Sequence, residues 1–269
     1  MRGFIAALAL TTALWGQDKP KAPSTAEAAE QVRTIQTKLL GPAGNGDWEA
    51  EQAQREKISD GIKEIVSSYV IARIEASPEI NWWELRDGLI QVLGVKYDER
   101  GGPDAPFRQP PYVFLSNPAS RKSGPVVFSV VYGGDVCLGS GCARIVVESY
   151  VIDHGKARLS GRGGAELNGI EGRAQQVGTD ELLVQGQYAW ASGHVLPYGA
   201  ALYRVSDGGV STVWQAPITP ELSASVFGGH LLVQYYDEKR NNFRNYPLSL
   251  DVYSLDEGVP KLVFHREWE

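Results

Sequence analysis

Cysteine, methionine and histidine are scarce in this chain, which has 269 residues but only two cysteines, one methionine and four histidines. The histidines, His154, His194, His230 and His265, lie far apart in the sequence, and no group of cysteines and histidines has the spacing of a zinc site. The sequence therefore predicts no metal site and no cofactor.

The common catalytic and nucleotide-binding motifs are also missing. The chain has no GxSxG nucleophile elbow, no HExxH motif, no Walker loop and no dinucleotide-binding glycine fingerprint that leads into a helix. The glycine-rich run at residues 161–164 precedes no helix-forming segment, so we interpret it as a flexible turn and not as a phosphate site. No reaction is assigned by motif, which favours a non-enzymatic protein.

No hydrophobic run is long enough to form a transmembrane helix. Residues 4–14 form an uncharged, mostly apolar stretch that follows the positively charged Arg2. This pattern is typical of an export signal. We therefore expect residues 1–16 to be a signal peptide and residues 17–23 a linker. The mature protein is then expected to be exported, to the periplasm or the extracellular space, with no transmembrane span after signal removal.

Positive charge is not in excess, since the formal net charge is −6. An acidic surface repels phosphate backbones, so a nucleic-acid partner is not expected. A hydrophobic content of 43% is sufficient for a packed core, and a charged content of 22% is ordinary, which argues against global disorder.

The two cysteines, Cys137 and Cys142, are separated by four residues, three of which are turn formers. In an oxidising compartment they are expected to form a structural disulfide. So short a loop gains roughly 2 kcal/mol from chain entropy. A redox pair usually has two intervening residues, which argues against a redox role.

The N-terminal part of the mature chain has the pattern of helices. Apolar residues recur at helical spacing in three stretches, and each stretch begins with a capping residue: Ser24, Asp47 and Asn81. Gly94 is placed to end the third helix. The sequence predicts a helical region at residues 24–96, followed at 97–124 by a proline-rich connection with one strand.

The second half of the chain contains an internal repeat. Residues 173–214 and 222–264 read as two copies of one unit, in which 177–185 align with 226–234 without a gap. A fainter copy begins at Val126. A period of about 50 residues made of short strands is typical of a propeller blade or a similar meander. Residues 125–269 are therefore predicted to form an antiparallel β repeat domain.

The fold class predicted is α+β, with about three helices followed by about three blade-like repeats in a propeller-like arrangement or a curled sheet. Three blades do not close a ring, so the helical part is expected to cover an exposed sheet edge. The clearest predicted strands are residues 112–115, 126–132, 143–152, 181–188, 200–205, 210–214, 231–236, 248–255 and 261–265.

Each copy has a variable segment between its inner strand and the next strand, at residues 133–142, 187–199 and 237–247. Equivalent loops of a repeat array emerge on one side, which is often the binding side. The aromatic, amide and basic side chains of these segments suit stacking and hydrogen bonding to a ligand. The predicted ligand-binding residues are Tyr188, Trp190, His194, Tyr198, Arg240, Asn242, Phe243 and Arg244.

Three functions are compatible with these patterns. The first is an exported, non-enzymatic binding or scaffold protein whose partner is a polysaccharide, a peptide or an envelope protein. The second is a secreted hydrolase of glycans or peptides, and its acid and base would come from a set of four residues, Asp135, Asp153, His154 and His194. The third is an envelope assembly subunit that docks through its amphipathic helices.

Overall fold

The computed structural model describes residues 23–39, 48–77, 79, 81–97, 103–104, 112–115, 125–133, 144–188, 197–216, 219–236, 248–256 and 258–268. The predicted signal peptide, nearly all of the predicted linker, and both Cys137 and Cys142 lie outside these residues. The signal peptide and the disulfide therefore stay predictions.

Three helices form where the apolar periodicity predicts them: α1 (Thr25–Leu39), α2 (Trp48–Ala76) and α3 (Trp82–Leu93). At the start of α1, the Ser24 hydroxyl accepts a hydrogen bond from the Glu27 amide at 3.2 Å, and the Ser24 amide donates to the Glu27 carboxylate at 2.7 Å. This reciprocal pair satisfies donors that the helix itself cannot.

The third helix is capped at both ends as its sequence predicts. The Asn81 side chain accepts hydrogen bonds from the amides of Trp83 and Glu84. Gly94 ends the helix in the left-handed conformation, with φ of 66°, a backbone region that favours glycine. Both devices satisfy terminal backbone groups, so the helix begins and ends within a residue of these caps.

Fourteen β segments follow among the described residues: β1 (Lys96–Tyr97), β2 (Pro103–Asp104), β3 (Tyr112–Leu115), β4 (Val126–Gly133), β5 (Arg144–Asp153), β6 (Lys156–Val177), β7 (Glu181–Tyr188), β8 (Pro197–Ser206), β9 (Gly209–Gln215), β10 (Thr219–Pro220), β11 (Ser223–Phe227), β12 (His230–Tyr236), β13 (Leu248–Ser254) and β14 (Lys261–Trp268). All pairings between them are antiparallel. The α+β class is confirmed.

One long strand organises the sheets. β6 has 22 residues; its first half pairs with β5, and its second half pairs with β7. Apart from β1, β2 and β10, the described strands therefore divide into three antiparallel meanders of four strands each, with β6 shared by the first two. The first meander is β3, β4, β5 and the first half of β6; the second is the rest of β6 with β7, β8 and β9; the third is β11 to β14.

The helices and the three meanders are stacked in series, with a hydrophobic core at each junction. The helices pack on one face of β4 and β5, where Phe128 and Tyr150 are fully buried. The other face of the same strands meets β7 and β8, with Val147 and Val184 between them. The outer face of β7 and β8 then packs on the third meander through residues such as Leu231.

Two parts of the sequence interpretation need correction. The helices cover a face of the first meander, not a sheet edge, because the apolar side chains of α2 and α3 meet the alternate residues of β4. The run 161–164 is not a turn but lies inside β6. The described strands close neither a barrel nor a propeller ring.

Gly161 and Gly163 of β6 allow close packing. A Cβ atom at Gly161 would lie 2.8 Å from the Cα of Gly209, and one at Gly163 would lie 2.6 Å from a methyl group of Val210. Glycine therefore lets the β8–β9 hairpin approach the first half of β6 directly. At the same junction, the Ser149 and Ser160 hydroxyls both donate to the Ser206 carbonyl, at 2.8 and 3.2 Å.

We expect Gly161→Ala to destabilise the fold, because the new Cβ would press against backbone that has no flexible side chain to move away. Overpacking of this kind lowers the free energy of unfolding by about 1–3 kcal/mol. Urea denaturation measures the loss. The matched control is Gly208→Ala, whose Cβ would have its nearest neighbour at 3.6 Å. Equal losses in the two variants would contradict this close approach.

Candidate functional site

The first and second meanders share β6 and, with β10, form one continuous sheet of eight strands. Strand ends that border two of the variable segments lie at one end of this sheet. A row of paired residues crosses the sheet there: Arg144 with Asn168, Asn168 with Gln187, and Gln187 with Tyr198. β5 begins at Arg144, β7 ends one residue after Gln187, and β8 begins one residue before Tyr198. The segments at 134–143 and 189–196 are therefore both anchored at this end.

The third variable segment is anchored nearby. Thr219 pairs with Tyr198 at the start of β8, and Ser223, only four residues later, pairs with Gln234 near the end of β12. The short stretch from Thr219 to Ser223 thus joins the two sheets at this end. Tyr236, which ends β12 and borders residues 237–247, is two residues beyond Gln234.

A pocket of about 260 Å³ lies where the second and third meanders meet at this end. Its walls come from β6, β7, β8 and the connection that leads into β11. The lining residues are Arg173, Gln185, Gly186, Tyr198, Glu221, Leu222 and Ser223. Among these described residues are one cation, one carboxylate and three hydroxyl or amide side chains, a set suited to a ligand with many hydrogen-bonding groups.

The wall that carries Glu221 is held in a strained conformation. Glu221 has φ of 52°, which is uncommon for a residue that is not glycine, asparagine or aspartate. Next to it, the side-chain oxygen of Gln185 accepts a hydrogen bond from the Ala224 amide at 3.0 Å and so ties β7 to β11. Strain of this kind persists only where surrounding contacts over-determine the backbone, and it concentrates at functional sites.

The structure places the predicted ligand-binding residues unequally. Tyr198 lines the pocket, and Tyr188 ends β7 opposite Leu167. The other six lie outside the described residues: Trp190, His194, Arg240, Asn242, Phe243 and Arg244. The sequence interpretation missed Arg173, Gln185, Glu221 and Ser223, because they belong to no motif and two of their elements were not predicted as strands.

The described acid–base candidates of the hydrolase hypothesis lie elsewhere. The Nδ1 atom of His154 lies 2.8 Å from the Asp153 carboxylate, where β5 turns into β6. This turn is at the far end of the ten-residue β5 from Arg144, and both side chains are mostly exposed. The pair therefore neither reaches the pocket nor lies in a cleft of its own. Asp135 and His194 lie outside the described residues.

A second polar cluster joins the helices to the first meander. The fully buried Glu148 carboxylate accepts hydrogen bonds from the hydroxyls of Tyr132, at 3.1 Å, and of Tyr150. Arg162 donates to Glu148 at 2.7 Å and to Glu64 on α2 at 2.6 Å. The cluster is closed by these contacts, so it has the character of a structural ion pair.

Burial raises the pKa of Glu148, although its hydrogen bonds and Arg162 oppose the shift. Burial also raises the pKa of Tyr132 and of Tyr150, and the neighbouring Glu148 charge adds to both shifts. For Arg162, burial alone would lower the pKa, but hydrogen bonds to Glu148 and Glu64 outweigh it and the pKa is raised. The guanidinium therefore stays charged and balances the buried carboxylate.

We expect Arg162→Met to lower the free energy of unfolding by about 3 kcal/mol, because it leaves the buried carboxylate of Glu148 without its cation. Chemical denaturation measures the change. Arg158→Met removes an exposed arginine from the same strand and is expected to change stability by about 0.5 kcal/mol or less. If the two variants lost the same stability, Glu148 would not depend on Arg162.

A third cluster lies on the third meander. Asp251 is mostly buried and accepts hydrogen bonds from the Tyr235 and Tyr253 hydroxyls, each at 3.2 Å. The Nδ1 atom of His265 lies 2.6 Å from the same carboxylate, and its Nε2 atom lies 3.3 Å from Glu267. The hydrogen bond to Asp251 is the main cause that raises the pKa of His265; burial opposes the rise, and the hydrogen bond to Glu267 adds to it.

We expect the stability of the protein to fall with rising pH near neutrality because of His265. Its folded-state pKa lies above the unfolded value of about 6.5. The stabilisation is therefore complete below that value and is lost as the pH rises through the folded-state pKa. An NMR titration of the ring gives the pKa, and urea unfolding across the same range gives the stability. In Asp251→Asn both effects should shrink; an unchanged His265 pKa there would contradict this origin.

Among the described residues, no three or more histidine, cysteine, aspartate or glutamate side chains are grouped to hold a metal ion. None of the described helices combines the length and the apolar character needed to cross a membrane. Comparison with protein-family models, curated proteins and solved structures gives no match to this chain. Function is therefore inferred from site geometry alone.

Proposed function

We propose that this chain is an exported binding protein whose recognition site is the pocket between the second and third meanders. The proposal rests on one observation, which is that the pocket and the ends of the variable segments lie at the same end of the sheets. A pocket lined by Arg173, Glu221 and Tyr198 lies at the end of the sheets where the anchors of the variable segments are found. In this proposal the pocket forms the floor of the site, and the variable segments supply further contacts to the ligand.

The chemistry of the pocket favours a glycan as the ligand. Arg173 and Glu221 balance each other in charge, which suits an uncharged ligand better than an ionic one. Gln185 and Ser223 offer donors and acceptors to hydroxyl groups, and the ring of Tyr198 offers a flat surface for a sugar face. A neutral, hydroxyl-rich polysaccharide segment matches this combination.

The number of carboxylates that line the pocket favours binding without hydrolysis. Most glycoside hydrolases use a pair of aspartate or glutamate residues on the two sides of the scissile bond. Among the described residues that line the pocket, Glu221 is the single carboxylate. One carboxylate can position a sugar but does not supply the acid and the base together.

The three meanders are, in this proposal, blade-like copies of one unit. Residues 177–185 and 226–234, which align in sequence, each end one strand and form the next across a short turn. The β8–β9 and β13–β14 hairpins then occupy equivalent places. The face-to-face stack of meanders is consistent with an incomplete blade array that the helices cover at one side.

A thermal-shift screen of the mature protein against glycans, peptidoglycan fragments and peptides tests the proposal, because a ligand that binds only the folded state raises the melting temperature. We expect a glycan hit that is lost in Arg173→Ala and in Tyr198→Ala. The control is Arg158→Ala, which removes an exposed arginine of the same strand outside the pocket.

Binding of the ligands found in this screen also distinguishes the contribution of the pocket from that of the variable segments. Trp190→Ala and Arg244→Ala should weaken binding without abolishing it if those segments complete the site. A glycan hit that survives both pocket variants would show that the pocket is not the site. A peptide hit that depends on the pocket would replace the glycan as ligand, and release of reducing sugar from a glycan hit would show that the protein is a hydrolase.

A further inference from the structure

The outer side of the third meander, which faces away from the second meander, is apolar and exposed. Leu231 and Val233 of β12 pack toward the second meander, so Leu232 between them faces outward. Strand pairing extends this alternation across the sheet, and most outward residues of β12, β13 and β14 are apolar: Leu232, Leu248, Leu250, Val252, Phe264 and Trp268. Phe227, which ends β11 on the same side, is 81% exposed. A contiguous exposed apolar surface marks an interaction site.

Two cations lie on the same outer side. The bulge at Val263 shifts the alternation of β14 by one residue, so Lys261 faces outward together with Phe264. Arg266 also faces outward, where its guanidinium group lies 5.1 Å from the ring centre of Trp268. Cations and aromatic rings therefore alternate along the outward side of this edge strand.

The carboxylates of the described strands of this meander lie on the opposite side. Asp251 and Glu267 face inward, and both contact the ring of His265. Asp256, in the turn after β13, accepts a hydrogen bond from the Ser254 hydroxyl at 2.8 Å at one margin of the outer side. The two outward cations of β14 outnumber it, so the described residues of the outer side carry a net positive charge.

We propose that the outer side of the third meander binds the surface of a membrane that contains anionic lipids. The rings of Phe264 and Trp268 enter the headgroup region, where amphipathic aromatic side chains are enriched. Lys261 and Arg266 pair with lipid phosphates, and their aliphatic stems lie against the apolar part of the interface. Each such cation near an anionic surface raises the binding constant about fivefold.

The shape of the outer side suits a planar surface. Four strands spaced about 4.8 Å apart form a face about 14 Å wide, and a strand of seven residues is about 23 Å long. Exposed aromatic residues stand on both edge strands of this sheet, Phe227 on β11 and Phe264 with Trp268 on β14. Both edges therefore reach the membrane when the face lies flat on it.

The local charge of the outer side, and not the net charge of −6, decides this contact. At physiological ionic strength, exposed charges more than about 8 Å apart are largely screened from each other. Carboxylates on the distant layers of the molecule therefore repel an anionic membrane little, whereas Lys261 and Arg266 lie directly against it.

The composition of the outer side favours a membrane over a protein partner. Lysine is depleted in protein–protein interfaces relative to the rest of the surface. Lysine and arginine combined with tryptophan and phenylalanine are instead typical of protein surfaces that lie on membranes. Lys261, next to the exposed ring of Phe264 on the outward side of β14, fits the second pattern.

Sedimentation of the mature protein with lipid vesicles tests this proposal. One set of vesicles contains equal parts of phosphatidylglycerol and phosphatidylcholine, and the other contains phosphatidylcholine alone. We expect binding to the anionic vesicles to be about tenfold stronger or more, and to weaken at high salt. Lys261→Glu and Arg266→Glu should each weaken it about tenfold or more. Phe264→Ala and Trp268→Ala should each weaken it about fivefold or more.

Matched variants distinguish the outer side from the rest of the molecule. Lys261→Arg keeps the charge and should bind as the unaltered protein does. Lys156→Glu makes the same charge change in the first meander, and Trp83→Ala removes a side chain of α3 that is 71% exposed. Neither should change binding. Far-ultraviolet circular dichroism of each variant checks that the fold is retained, which the exposure of every residue of β14 favours.

Three outcomes would overturn the proposal. A protein that does not sediment with the anionic vesicles binds no such membrane, and the outer side is then left to a protein partner. Equal binding to both kinds of vesicle would show that the cations take no part. Binding that is unchanged in Lys261→Glu and in Trp268→Ala takes place through another surface.

Discussion

The close approach of two backbones in the first half of β6 is the constraint on which the other layers depend. With no side chain at Gly161, the β8–β9 hairpin reaches the strand itself, and the Ser206 carbonyl receives hydrogen bonds from two serines of the first meander. The same strand then passes into the second meander and pairs with β7. One continuous segment therefore fixes the spacing between two sheets, and the apolar faces of β5 and β7 fill that spacing.

The opposite face of β6 sets the position of the helices. Arg162, which lies between Gly161 and Gly163, turns away from the second meander and bonds to Glu148, to Glu64 and to the Ser67 hydroxyl. Successive residues of a strand face opposite sides, so Gly161 and Gly163 contact the second meander while Arg162, between them, contacts the helices. Hydrogen bonds between charged groups are directional. They therefore fix the position of α2 along the sheet, which apolar packing alone would not fix.

Strong periodicity made the helices and most strands predictable, whereas β6 and the pocket were not. The caps at Asn81 and Gly94 and the runs rich in valine, leucine and tyrosine were each recognised from local sequence. β6 was not predicted because its five glycines resemble those of turns, and the role of Gly161 and Gly163 depends on a hairpin distant in sequence. Tyr198 was found through the repeat, but Arg173 and Glu221 meet only after two sheets have packed, and no spacing in the chain encodes that.

The layers are stacked in series, so the helices form one end of the stack and the third meander forms the other. Each inner layer packs on both of its faces, whereas the described part of the third meander packs on the rest of the protein through a single hydrophobic core. In stacked architectures stability is a sum of local and nearest-neighbour contributions, and the terminal unit has the fewest neighbours. Local unfolding should therefore start in the third meander and proceed toward the helices. Slow amide exchange should be confined to the strands of the first meander, which lie between the helices and the second meander.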